Sequence, residues 1–324
     1  LKSPAGQEVA MRMAGASDVI VENFRPGVMQ RLGLDYASIV KNVPNIIYCS
    51  VSGYGQSGPL SKRPAYDSAI QAASGMMAST GHPETGPTRT GYTPVDASAG
   101  LLAAFALSSA LLRRERTGLG QYLDVAMLDA SMLLQLTTMT ACLDDGTLGS
   151  LQGNISPAHS LTADCFEATD GAVLVSALTA AQGEAIMKCL ELPARLWHEY
   201  MELAADSDAA RAIKQTVKQA FAAKPVQHWV DQFEPLGVAF ERVNRLDQAA
   251  ELVRMQKRRM IDPASTDGSV CSYGGAFMAS NDGPDCDGTE GPALGAHTQE
   301  ILQAYGFKTE EISELQKRGA FGAI

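Results

Sequence analysis

Apolar and polar positions alternate along the first half of the chain in two periods. Residues 4–15 carry helical spacing and open on Ser3-Pro4, a capping residue followed by proline at the first helical position. Residues 18–22 (DVIVE) read as a buried strand, 35–42 as a second helix and 46–51 (IIYCSV) as a second strand. Short apolar runs separated by helices predict parallel βαβ units. A loop rich in Gly, Ser and Pro follows over 52–64, then a helix of small residues over 66–78 and a second loop over 79–95. A long apolar helix is predicted over 97–113. Its basic last turn, Arg113-Arg114, suits the negative end of the helix dipole, and Gly118 stops it. Residues 121–126 (QYLDVA) read as a strand and 127–143 as a helix.

The texture changes at 144–160, a polar stretch that predicts a domain boundary. Beyond it, 165–178 reads as a hairpin turning at Thr169-Asp170-Gly171. Helices follow near 180–191, 194–204, 208–222 and 225–236, then a strand at 238–243 and a helix at 245–257. Residues 262–293 are loop-rich, and helices at 297–305 and 309–318 end the sequence.

The 324 residues predict about two domains. With 45% apolar and 19% charged residues the chain is globular, not disordered or fibrous. A net charge of −10 argues against a nucleic-acid surface but leaves room for a local basic pocket. Six scattered cysteines (Cys49, Cys142, Cys165, Cys189, Cys271, Cys286) without a C-x-x-C read as reduced thiols of a cytoplasmic protein. Five histidines, His159 among them, show no ligand spacing, so no metal is expected. No apolar run reaches the length of a membrane span, and no signal peptide is seen. A domain opening on a helix cap, with no strand ahead of it, reads as one whose start lies upstream of Leu1.

Three segments are candidates for chemistry. Gly53-Tyr54-Gly55-Gln56-Ser57-Gly58 matches G-x-G-x-x-G after a predicted strand. The dinucleotide fingerprint needs a helix to open inside the motif, and Pro59 and Pro64 prevent that. A glycine loop lining some ligand cleft stays reasonable, because loops at the carboxyl ends of parallel strands build sites. Asn23-Phe24-Arg25-Pro26-Gly27 stands at the carboxyl end of a strand, where open α/β sheets bind ligands, with Arg25 or Arg31 as a phosphate clamp; from spacing alone a plain turn into a helix is the better reading. Asp96 precedes the long helix. Its ordinary role is an N-cap; the other is a carboxylate nucleophile kept ionised by the positive helix end. Asp129 carries the same two readings, and nothing local separates them.

The segments VIVENFRPGVMQRLGLDY, SVSGYGQSGP, PAYDSAIQAASGMMASTG, TGYTPVDASAGLLAAFALSSALLRRERTGLGQYLDVAMLDA and GPALGAHTQEIL, taken in order, resemble the class III CoA-transferases of the CaiB/BaiF type. That family includes formyl-CoA and carnitine CoA-transferases and shares its fold with α-methylacyl-CoA racemase. The resemblance implies a large Rossmann-like α/β domain over 1–150, a smaller α+β domain over 160–255, and a linker and C-terminal return to the large domain over 256–324. It implies two chains interlocked as a homodimer, with CoA as a co-substrate and no tightly bound cofactor. Family members also carry a βαβ section ahead of the segment matching Leu1.

The resemblance further implies which aspartate reacts. The family's nucleophile opens the long helix, and the matching residue is Asp96, in Pro94-Val95-Asp96-Ala97-Ser98-Ala99-Gly100. Asn23, Phe24, Arg25 and Arg31 match positions that contact CoA, and Arg63, Pro64, Ala65 and Tyr66 match a loop lining the same site. Racemases carry a histidine where this chain has Tyr66, and tyrosine is a poor two-way proton shuttle near neutral pH. The implied reaction is transfer of CoA from an acyl-CoA to a free carboxylic acid. The alternatives are a 2-methylacyl-CoA racemase or an inactive remnant.

Overall fold

The computed structural model describes residues 1–156, 158, 160–204, 207–256, 261–263, 271–273 and 292–322. His159, Cys286 and most of the loop predicted over 262–293 lie outside the described residues. The chain divides into two compact units, Leu1–Leu151 with Pro292–Ile324, and Gln152–Gly291.

The first unit begins with α1 (Pro4–Gly15). The Ser3 hydroxyl accepts the Gly6 N–H at 3.0 Å and Pro4 sits in the first turn, the capping that the sequence predicts. Then come β1 (Val19–Glu22), the single turns α2 (Val28–Arg31) and α3 (Tyr36–Ile39), and β2 (Ile47–Ser52). The predicted helix over 35–42 is therefore one turn, and α2 is an addition. Next is α4 (Asp67–Ala73), which ends before Gly75; that glycine, at φ +82°, turns the chain into a 3-10 turn at Met76–Ala78. The loop beyond carries the two-residue strands β3 (Gly81–His82) and β4 (Gly86–Pro87). It leads into α5 (Pro94–Thr117), β5 (Gln121–Ala126), α6 (Met127–Leu134) and α7 (Leu136–Asp145). The helix predicted over 127–143 is thus two, broken at Gln135.

The three longer strands form a parallel sheet in the order β1-β2-β5, with Ile47 opposite both Val19 and Gln121. Buried Cys49, Ala103 and Val125 seal α5 to the sheet. Ile70, Met76, Val95, Ala99, Met127 and Ala130 tie its N-terminal half to α4 and α6. At 24 residues, α5 is longer at both ends than predicted. It is also long and apolar enough to cross a membrane by length and composition, which corrects the expectation that no run reaches that length. Only one stripe of it, Val95, Ala99, Ala103 and Ala110, is buried, while Leu101, Phe105 and Leu112 are exposed. Because the strands are parallel, the loops after β1 and β2 and the start of α6 all leave the same edge of the sheet.

The second unit opens on the hairpin β6 (Ala163–Ala168) and β7 (Gly171–Ser176), turning at Thr169-Asp170. Helices α8 (Ala180–Cys189), α9 (Arg195–Glu202), α10 (Asp208–Phe221) and α11 (Val226–Phe233) follow. Strand β8 (Ala239–Arg242) adds to β7, giving an antiparallel β6-β7-β8 sheet. Its core stacks Phe166 on Phe221, ring centroids 4.0 Å apart, with Trp229 and Phe233 packed around them. Helix α12 (Leu246–Met255) and the short pair β9 (Ile261–Pro263) and β10 (Cys271–Tyr273) complete it.

The chain re-enters the first unit with α13 (Thr298–Ala304) and α14 (Thr309–Lys317). Leu302, Phe307, Ile312 and Leu315 pack on Ala5 and Val9 of α1. Arg12 lies 3.9 Å over the Phe307 ring and pairs with Glu311 at 2.7 Å.

Candidate active site

An open cleft of about 540 Å³ lies at the carboxyl edge of the parallel sheet. Four stretches of chain build it. The turn after β1 brings Asn23, Phe24, Arg25 and Pro26. Glu22, buried at the end of β1, accepts the Phe24 N–H at 2.7 Å, and Gly27 reverses the chain at φ +85°. The Asn23 side-chain amide donates to the Val51 carbonyl at 2.7 Å, which fixes this turn against β2 and leaves the amide oxygen for other partners.

The end of β2 and the glycine loop give Val51, Ser52 and Gly53, and the same loop returns with Ser61, Arg63, Ala65 and Tyr66. No helix opens within 53–58; the next begins at Asp67. The Arg63 guanidinium lies 5.9 Å from the Tyr54 ring centroid. Tyr66 is 77% exposed, a free aromatic face at the mouth. Among the described residues, the Ser52 hydroxyl is buried with no hydrogen-bond partner.

Helix α5 supplies Asp96, Ala99 and Gly100, and α6 supplies Met127. Asp96 stands third in α5, not at its cap. Thr93 holds the cap position, without a side-chain capping bond. The N-cap reading of Asp96 is therefore corrected. The charge argument changes too. Burial pushes the Asp96 carboxyl above the ordinary aspartate range, and the nearby negative charge of Asp67 pushes it further. The helix end does not hold Asp96 at an unusually acidic value.

Of the residues singled out in the sequence, Asp96, Asn23, Phe24, Arg25, Arg63, Ala65 and Tyr66 meet in this one cleft. Arg31, the last residue of α2, and Pro64, between two lining residues, are not part of its wall; nor is Asp129. Gly53, from the glycine loop read as lining a cleft, and Pro26 are on the wall too; sequence reasoning did not single out Val51, Ser52, Ser61, Ala99, Gly100 or Met127. A signal existed for the first two, at the junction of a strand with a glycine loop. None existed for the others, which the fold alone brings to the wall. The arrangement places one carboxylate of raised basicity beside two guanidinium groups, an amide and exposed aromatic rings. That set can hold an anionic, partly aromatic ligand and attack a carbonyl within it.

The model of the family described as CoA-transferase family III matches residues 1–298. An acetyl-CoA:oxalate CoA-transferase of Acetobacter aceti is 33% identical over 266 residues, 81% of this chain and 67% of its own length. A succinyl-CoA:glutarate CoA-transferase of Mus musculus is 31% identical over 317 residues, 94% of this chain and 70% of its own. Among solved structures, a CAIB/BAIF family protein from Brucella suis superimposes with a TM-score of 0.81 at 25% identity, over 94% of this chain and 79% of that one.

Proposed function

The chain belongs to CoA-transferase family III, and on that premise we propose that it moves CoA from an acyl-CoA to a free carboxylic acid through covalent intermediates on Asp96. The observation that carries this reading is the place of the Asp96 carboxylate on the wall of a cleft shared with Arg25, Arg63 and Asn23.

In the proposed cycle the Asp96 carboxylate attacks the donor thioester carbonyl and expels CoA thiolate, leaving a mixed anhydride. The thiolate adds to the Asp96 carbonyl and expels the donor acid, so that Asp96 becomes a CoA thioester. The acceptor carboxylate attacks that thioester, forming a second anhydride and freeing the thiolate again. Attack of the thiolate on the acceptor's carbonyl forms the new acyl-CoA and restores Asp96. Each step exchanges one acyl bond for another, so the cycle needs no net proton or electron, and it divides one slow exchange into easier ones.

The chain's own groups have separate tasks in this reading. Arg25 and Arg63 face the phosphates of CoA, and Phe24 and Tyr66 offer ring faces to its adenine. Asn23, anchored on Val51, keeps the turn in place. Dicarboxylic acids are the acceptor class that the two named relatives suggest.

The test is exchange followed by mass spectrometry, with succinyl-CoA and glutarate, and acetyl-CoA and oxalate. Trapping with borohydride or hydroxylamine should place the modification on Asp96. Asp96→Asn should abolish exchange, and normal turnover by that variant would refute the assignment.

A further inference from the structure

The first amide groups of α5 have no acceptor within the helix, and the local cap, Thr93, supplies none through its side chain. The acceptor comes from another element. Asp67, in the first turn of α4 and only 6% exposed, accepts the N–H groups of Val95 at 2.9 Å and of Asp96 at 3.0 Å through one oxygen, Oδ2. Its other oxygen accepts from Gln71 Nε2 at 2.5 Å. Gln71, 1% exposed, also donates to Thr90 Oγ1 at 3.1 Å and accepts the Thr90 N–H at 3.0 Å. Thr90 Oγ1 in turn donates to the Tyr92 carbonyl at 2.9 Å. One buried carboxylate therefore joins α4, the loop before α5 and the peptide of Asp96 itself. Asp67 does not line the cleft.

We propose that Asp67 is a positioning residue for the transfer chemistry, fixing the first turn of α5 so that the Asp96 carboxylate faces the cleft and opposing the positive charge of that helix end. The inference rests on the reading of Asp96 as nucleophile. Its physical basis is twofold. A carboxylate accepting two backbone N–H groups gives strong charge-assisted bonds, one of them to the residue whose direction matters. A helix N-terminus also carries roughly half a positive charge, which would stabilise an ionised Asp96 and blunt its attack. With Asp67 facing that end, the carboxylate of Asp96 stays more basic, in line with the upward shift that Asp67 contributes.

The other charged or titratable groups at this cleft are few. Arg25 comes from the turn after β1, and Arg63 and Tyr66 from the loop before α4. Strand β2 brings Val51 and Ser52 and helix α6 brings Met127, none of which carries a charge.

The experiment compares Asp67→Asn and Asp67→Ala with the unaltered chain, using succinyl-CoA with glutarate and acetyl-CoA with oxalate. A 13C titration of the Asp96 side chain is run beside the kinetics. Asp67→Ala should lower kcat by about 10²-fold, the scale of a misplaced reacting group, with KM for the acyl-CoA nearly unchanged. Asp67→Asn keeps an acceptor oxygen without the charge; it should lose less of kcat, and the Asp96 titration midpoint should move down. If Asp67→Ala does not fold, Asp67→Asn decides by its kcat and its titration. Unchanged kcat, a loss confined to KM, or an unmoved Asp96 midpoint in Asp67→Asn would overturn the inference. Normal turnover by Asp96→Asn would sink the nucleophile assignment instead, while the titration still reads the coupling between the two carboxylates.

Discussion

A Cβ built on Gly53 would lie 2.2 Å from the Cβ of Ala65. The two residues are walls of the same cleft, at the start and the return of the glycine loop. Any side chain on Gly53 would push the return strand of the loop, with Arg63 and Tyr66, away from β2. The glycine is required here for close approach, not for an unusual backbone angle.

Gly53→Ala is expected to cost about 1–3 kcal/mol, the usual penalty of overpacking. Transfer should fall more steeply than stability, because the displaced loop carries cleft residues. Thermal melting and exchange assays on one preparation check this. A variant with normal exchange would show that the close approach does not matter to the site.

The hydroxyl of Ser52 is 4% exposed as a residue, lines the cleft and has no partner among the described residues. A buried polar group left unpaired costs about 1–3 kcal/mol. Ser52→Ala should therefore melt at the same temperature or higher. Our hypothesis is that the hydroxyl is held for the bound acyl group, so exchange should weaken in the same variant. A lower melting temperature with unchanged exchange would refute it.

The raised Asp96 carboxyl gives a pH prediction with a definite sign. An acid whose folded value lies above its unfolded value favours folding only while protonated. That contribution is complete below the unfolded value and is lost as pH rises through the folded one. Ionised Asp96 is thus a burden on the fold near neutral pH. Asp96→Asn should raise the melting temperature relative to the unaltered chain near neutrality, and the gain should vanish in strong acid. Exchange by the unaltered chain should fail on the acid side at a higher pH than an ordinary aspartate would dictate. A melting difference that grows toward acid would contradict the assigned direction.

In the second unit, Lys214 of α10 pairs with Asp164 of β6 at 2.8 Å, with side chains 16% and 6% exposed. Removing one partner of a buried pair leaves an uncompensated charge, which costs about 3–5 kcal/mol. Lys214→Met should destabilise by that order in denaturant titration, and adding Asp164→Asn should recover part of the loss. Equal stabilities for the single variant and the unaltered chain would show that the pair contributes nothing.

Much of the fold was legible because its signals are local. Ser3 and Pro4 start α1 by chemistry contained within one turn. The runs that became β1, β2 and β5 are short, apolar and separated by helices, as buried parallel strands must be. Errors arose where a distant group replaced a local one. The long helix was placed after Asp96 because aspartate is a common cap. It begins at Pro94, a proline at the first helical position, and Asp67, far away in sequence, accepts the amides of its first turn.

The sequence by itself determined the alternation of strands and helices, the family and the presence of an aspartate at the head of a long helix, since each is written in spacing and residue type along a continuous stretch. Only the tertiary structure decided which side chains share a cleft, which one leaves a hydroxyl unpaired and how basic Asp96 is. Those properties depend on burial and on charges brought close by parallel strands ending at one edge, and a linear pattern contains neither distance nor dielectric.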